Sequence, residues 1–401
     1  TARSSVVVGA VEAGLEVGLA VTGSLSGSSE RSTAGPVSLA ATGGVSLDSV
    51  QAAGSVGISA GGPVTGTLVR STGGAVTVIS AGAIDLTSAR AAGDIRMDAM
   101  AGLTAGTVAS SGGTVDLRAG ADANVSDVAG QLGTTVTAGT SVVLGSAASA
   151  GGDVALRAGD DATVATGSAR GMLAVSSARG DVTVSSDTAC AVQLEAPGDV
   201  TGTAMHVGSA LRLAGARVSG SAFGGGRAVG GYVTGFAGAA ADTVALTFAG
   251  AGGFSLGNFW AAGASVTIPA GTFGAANFRI GDRGLFGNPE TLVLVDQHDK
   301  SIQAADVQLY SEGAPFYLYL TGNRVRTNAF VIYRSPAHEV LTADGANASA
   351  AEQAGDALAR IVPPPLPGGL PGSAGKTGEL VDFTGLPVST ECGDDDPGCK
   401  E

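Results

Sequence analysis

The sequence predicts an all-β fold, a parallel β-helix (β-solenoid) with coils of about 19–20 residues. Three observations predict it: two interleaved glycine series, apolar–x–apolar steps after the glycines, and no aromatic residue before Phe223. Gly35, Gly54, Gly73, Gly93, Gly112, Gly133, Gly151 and Gly171 recur every 18 to 21 residues. Gly44, Gly62, Gly82, Gly102, Gly120, Gly139, Gly159, Gly180 and Gly198 keep the same period about half a repeat later.

The first series is followed by Val37/Leu39, Val56/Ile58, Val76/Val78, Ile95/Met97, Val115/Leu117 and Val154/Leu156. The second is followed by Val45/Leu47, Ile84/Leu86 and Val142/Leu144. Alternation with period two places these pairs on the buried face of short strands. A third, weaker strand is expected near Leu68, Val108 and Val128. One coil cannot bury its apolar face alone, so coils must stack. Val37, Val56, Val76, Ile95, Val115, Val136 and Val154 are expected to form one internal ladder. The glycines would supply left-handed backbone or close approach at the corners.

Composition agrees with a narrow core. Of 401 residues, 66 are Gly, and aromatics make up only 4% against 44% hydrophobic residues, chiefly Ala and Val. A β-sandwich would draw on a mixed aromatic core with strands every 8–12 residues or so.

The chain divides by composition. Residues 1–222 read as regular coils. All aromatics, one Trp, five Tyr and eleven Phe, follow residue 222. Residues 223–345 therefore read as an aromatic-rich region of larger coils and a cap, with strands at Val244–Phe248, Val266–Ile268, Thr291–Val295, Val307–Tyr310, Phe316–Leu320 and Phe330–Tyr333. An open solenoid end exposes unpaired strand edge, which bulky side chains can cover. Residues 346–362, centred on Ala348–Val362, read as one short helix ending at Pro363. Residues 363–401 form a linker opened by Pro363, Pro364, Pro365 and Pro367, then an extended acidic tail.

Charge and motifs exclude several functions. A net charge of −14 gives nucleic acid no electrostatic footprint. No apolar run has the length of a membrane span. The chain starts at Thr1, so any export signal is expected upstream. His206, His298 and His338 are too dispersed for a zinc site, and no nucleophile elbow occurs. Neither a cofactor nor a metal site is expected; the run Asp394–Asp396 falls short of the six to eight oxygens Ca²⁺ prefers. Gly224–Arg227 and Gly281–Gly284 read as turns, because no strand-to-helix context surrounds them. Cys190, inside the repeat, reads as a small core residue.

Cys392 and Cys399 differ from it. Gly393, Pro397 and Gly398 let the chain turn back between them, so an exported chain is expected to oxidise them into a small loop. The coils resemble those of two-partner-secretion exoproteins, the filamentous-haemagglutinin-like adhesins. The terminal cysteine pair is similar to the end of the high-molecular-weight adhesins of that group. The resemblance implies a C-terminal fragment of a secreted fibre. Its disulfide-closed Cys392/Cys399 loop would lodge in an outer-membrane transporter and tether the fibre at the bacterial cell surface. Pro363, Pro364, Pro365 and Pro367 would begin the segment through the transporter pore, and upstream parts of the fibre would meet a host or neighbouring cell.

Two other readings have sequence motivation. Many β-helices act on polysaccharides through paired carboxylates, for which Asp160/Asp161 and Asp296/Asp299 are the nearest candidates. A self-assembling surface-layer or matrix protein is the other.

Overall fold

The computed structural model describes residues 5–224, 229–238 and 241–250, and beyond them the strands Phe254–Thr267, Ala276–Ile280, Glu290–Val295, Val307–Glu312, Phe316–Thr321, Val331–Arg334 and Glu339–Thr342. The fold is an all-β parallel solenoid: every strand pairing given for these residues is parallel and joins one coil to the next. The chain forms two compact units, one ending at Arg179 and the other beginning at Gly180.

In the first unit each coil holds a long strand, such as Val45–Ala52, and a short one, such as Val56–Ala60. The long strand alternates inward and outward for three residues and changes phase, so that Val45, Leu47, Val50 and Ala52 all point inward. Its pairing also skips the residue after the third position, where Leu47 pairs with Gly66 and Ser49 with Leu68. The chain turns a corner there. The weak third strand expected near Leu68, Val108 and Val128 is thus the far half of the long strand. Its inward residue in the Leu68 coil is Val69, which is buried, whereas Leu68 is half-buried.

Stacking places like on like. Val37, Val56, Val76, Ile95 and Val115 occupy one column, as the sequence predicts. The next position is held by Thr134, and Val136 belongs to the neighbouring column between Leu117 and Leu156. This corrects the predicted ladder: in that coil the apolar pair has become Thr134-x-Val136, and Gly133 lies within a strand rather than at a turn. Thr134 is buried because its hydroxyl donates to the Ala148 carbonyl at 2.6 Å. β-Branched and aliphatic side chains suit such columns, and burial of each removes apolar surface from water on both sides of the strand.

The repeat glycines answer close approach rather than backbone twist. Among the described glycines only Gly23 and Gly220 have positive φ. A Cβ on Gly139 would stand 2.2 Å from the Gly120 carbonyl oxygen, and one on Gly159 would stand 1.9 Å from that of Gly139. Coils stack backbone on backbone at this turn, and only glycine fits.

The period is finer than a single spacing near 19. Long strands begin at Val6, Leu25, Val45, Val64, Ile84, Leu103, Ala123, Val142 and Ala162, so the steps alternate strictly between 19 and 20 residues. The additional residue always falls in the turn after Ser32, Ser71, Ser110 or Ser149. In register with these serines stand Ala13, Ala52, Ala91, Gly130 and Ala169. The serines are buried. Ser71 Oγ donates to the Gly54 carbonyl at 2.7 Å and accepts from the Gly74 amide at 2.9 Å. Ser110 repeats this with Gly93 and Gly113 at 2.7 and 2.9 Å. The longer turn turns an amide inward, and the serine hydroxyl satisfies it; the shorter turn has no such amide and takes alanine or, at Gly130, glycine. The true structural repeat is therefore a pair of coils.

In the second unit Val182, Val200 and Val218 stack at 18 residues per coil. Later steps, from Val218 to Val244, Ala264, Leu292, Leu318 and Val340, range from 20 to 28 residues. The strands predicted beyond residue 223 all overlap strands of this unit. The side chains of the predicted aromatic cap and the helix at 346–362 lie outside the described residues.

Replacing Ser110 by alanine is expected to cost about 1–3 kcal/mol locally, because the Gly113 amide is left buried and unpaired. Hydrogen exchange should show the Gly113 amide losing protection while that of Gly93, in the preceding shorter turn, keeps it.

Candidate functional site

Cys392, Cys399 and the linker prolines Pro363, Pro364, Pro365 and Pro367 lie outside the described residues, as do Asp296, Asp299, His298 and His338. Within the described residues the chemistry-bearing side chains fall into three groups: turn carboxylates, outward ion pairs and two buried acids.

The turn carboxylates follow from the coil geometry. Where a turn begins a short strand, Asp can accept the first amide of the coil above. Asp94 takes the Thr114 amide at 2.7 Å and its hydroxyl at 2.9 Å, which holds the Asp94 carboxyl below its ordinary range. Asp153 takes the Met172 amide and Asp181 the Asp199 amide, each at 2.7 Å. Asp122 takes the Ser141 amide at 3.1 Å and the Thr140 hydroxyl, and is likewise held low. These acids cap neighbouring backbone and converge on no common point.

Outward ion pairs lie along the strands. Arg96 meets Asp98 at 3.3 Å, and one coil on, Arg118 meets Asp116 at 2.9 Å. Register sets Arg96 beside Asp116 and Asp98 beside Arg118, so the four make a checkerboard of alternating sign. Arg217 grips Asp199 through two bonds of 2.7 and 2.5 Å. Exposed pairs of this kind contribute little to stability. Asp160, a candidate acid in the sequence, is paired with Arg179 at 2.9 Å. The adjacent Asp161 offers its backbone carbonyl to the Val142 amide.

The two buried acids were not singled out by sequence reasoning. Glu30 stands sixth in the long strand Leu25–Ser32, between Val11 and Val50 in an otherwise apolar column. It is fully buried, and neither carboxyl oxygen has a hydrogen-bond partner. Gly27 makes room for it, since a Cβ there would meet Glu30 Oε1 at 2.2 Å. Desolvation, aided by the Asp48 carboxylate, pushes Glu30 up to about 7. Asp187 holds the corresponding sixth position of Val182–Glu195, beside Met205. It too is buried with both oxygens unpartnered. Burial pushes it up to about 8, while the His206 backbone amide draws it weakly the other way. The sequence signal was a Glu or Asp at an inward step of the period, visible only once the register is known.

His206 sits outside this core. Its Nδ1 lies 3.0 Å from the Asp187 carbonyl oxygen, and its ring stacks on Phe223 at 5.1 Å between centroids. Cys190 is buried, and the Ser209 hydroxyl donates to its carbonyl at 2.9 Å. Gly224 ends the strand Arg217–Gly224. Among the described residues no three of His, Cys, Asp and Glu gather as a metal site would require. Comparison of the chain with protein-family models, curated proteins and solved structures gave no match.

The buried acids fix a sign for pH dependence. A carboxyl raised on folding keeps its proton where the unfolded chain has released it, so folding takes up protons and stability falls as pH rises. For Glu30 the window runs from 4.5 to about 7, and for Asp187 from 3.8 to about 8. Glu30→Gln and Asp187→Asn are each expected to be more stable than the parent at pH 8 and to lose that advantage at pH 4. Thermal unfolding at both pH values checks this, and an advantage that grew in acid would contradict the assignment.

Proposed function

We propose that this chain is a stalk-and-anchor segment of a secreted bacterial surface adhesin of the two-partner-secretion type. It is tethered at the outer membrane through a loop closed by Cys392 and Cys399. The observation that carries the reading is the contrast between the two faces of the first unit. With the exception of Glu30, inward columns hold small and aliphatic residues in fixed register, while outward columns change freely among Ser, Thr, Asp, Arg, Gln and Ala from coil to coil. Such a body holds its form whatever its surface carries, which suits a spacer whose work is reach rather than turnover.

The tail supplies the anchoring half of the proposal. Seven acids stand against one lysine, Lys400, between Glu379 and Glu401, and the proline-led linker favours an extended chain. A knot closed by Cys392 and Cys399 at the end of such a linker would be wider than the thread before it. Retention at a pore then needs no further contact.

Producing the chain with its transporter in a Gram-negative host tests this. Cys392→Ser is expected to move most of the protein from the cell-bound fraction to the medium, with no change in its circular dichroism. Undiminished retention of both Cys392→Ser and Cys399→Ser would end the tether proposal.

A further inference from the structure

One outward column of the first unit departs from the free variation of the rest. Seventh in successive long strands stand Arg31, Gln51, Arg70 and Arg90, followed by Ala109. Arg31 meets Glu12 at 3.8 Å. Arg70 and Arg90 are exposed, stand directly beside one another on adjacent coils, and have no acidic partner among the described residues. Neighbouring parallel strands lie roughly 4.8 Å apart, and like charges set opposite each other on a sheet are unfavourable. The acid next along the chain, Asp94, is occupied by Thr114.

The neighbouring column reads Ser49, Leu68, Ser88, so that Ser49 stands beside Gln51, Leu68 beside Arg70 and Ser88 beside Arg90. Gln51 Nε2 donates to Ser49 Oγ at 3.1 Å. The Ser88 hydroxyl is buried with no hydrogen-bond partner. It stands two residues before Arg90 on the same strand face.

We propose that Arg70 and Arg90 bracket a phosphate monoester, with Gln51 and Ser88 as supporting donors. Two guanidinium groups one coil apart carry two positive charges at a spacing that a single tetrahedral group can bridge. A phosphomonoester carries about −1.5 to −2 near neutral pH, which matches that pair, whereas a sulfate ester or a phosphodiester supplies one charge. Guanidinium presents paired donors to phosphate oxygens in a planar fork, so each arginine can hold two oxygens. The ligand class is a phosphorylated sugar or free phosphate.

Titration of the full chain, followed by calorimetry and by the arginine side-chain NMR signals, tests the site. The probes are glucose 6-phosphate, inorganic phosphate, glucose 6-sulfate and a single-stranded oligonucleotide. Both phosphate probes are expected to bind, and Arg70→Gln or Arg90→Gln to weaken them roughly tenfold. Arg157→Gln, at another exposed arginine, should leave binding unchanged. Tighter binding of the sugar phosphate than of inorganic phosphate assigns the ligand as a phosphorylated glycan, and equal binding assigns it as the free ion. Binding of glucose 6-sulfate as strong as that of glucose 6-phosphate, preference for the oligonucleotide, or equal loss in Arg157→Gln would overturn the proposal.

Discussion

Backbone hydrogen bonding from coil to coil is the constraint on which everything else in the molecule rests. Each strand takes its partners from residues 17 or more positions away, and the turns join the same ladder: the Gly62 amide donates to Gly43 and the Gly43 amide to Gly23. Because the pairing is parallel and in register, a residue's environment is set by its counterparts one coil above and below. A side chain that fits once must therefore fit against a near copy of itself. Small and aliphatic residues do so at low cost, which is why Ala, Val, Leu and Ile build the core of the first unit without aromatic rings.

The same constraint explains how polar groups enter the interior. Serines after the long strands are accepted because every second turn sends an amide toward them. Thr134 is accepted because a carbonyl lies within reach. Glu30 and Asp187 have no such hydrogen-bond partner, and burial raises both carboxyls, favouring their protonated forms. In a stacked column one unusual member is carried by ordinary members on each side, and Val11, Val50 and Met205 are those neighbours. Room is found by trimming the adjacent inward position. Gly27 does this for Glu30, and Gly202 does it for Met205, whose Sδ would lie 2.4 Å from an added Cβ.

Much of the fold could be read in the sequence because the repeat writes the same information many times. The apolar pairs from Val37/Leu39 to Val154/Leu156 announce strands, period and inward face. Register was readable only where a coil keeps the pattern. At Thr134-x-Val136 the eye follows the valine, and only hydrogen bonding shows that the threonine holds the column. The corner inside the long strand was also hidden, since nothing in Val45–Ala52 marks a bend except a change in alternation phase. Charged groups fared worse. Asp94 and Asp153 look like ordinary turn residues, and Arg70 and Arg90 stand 20 positions apart in sequence. Only stacking makes them neighbours.

The alternation of 19- and 20-residue coils has a consequence for how such a molecule grows. Slippage or recombination that adds or removes a single coil would set two long turns, or two short ones, on successive levels. A serine would then face a serine in a column built for serine on alanine. Adding or removing two coils leaves every contact at the junction as it was. The chain can change its length by duplication, but its unit of inheritance is the pair.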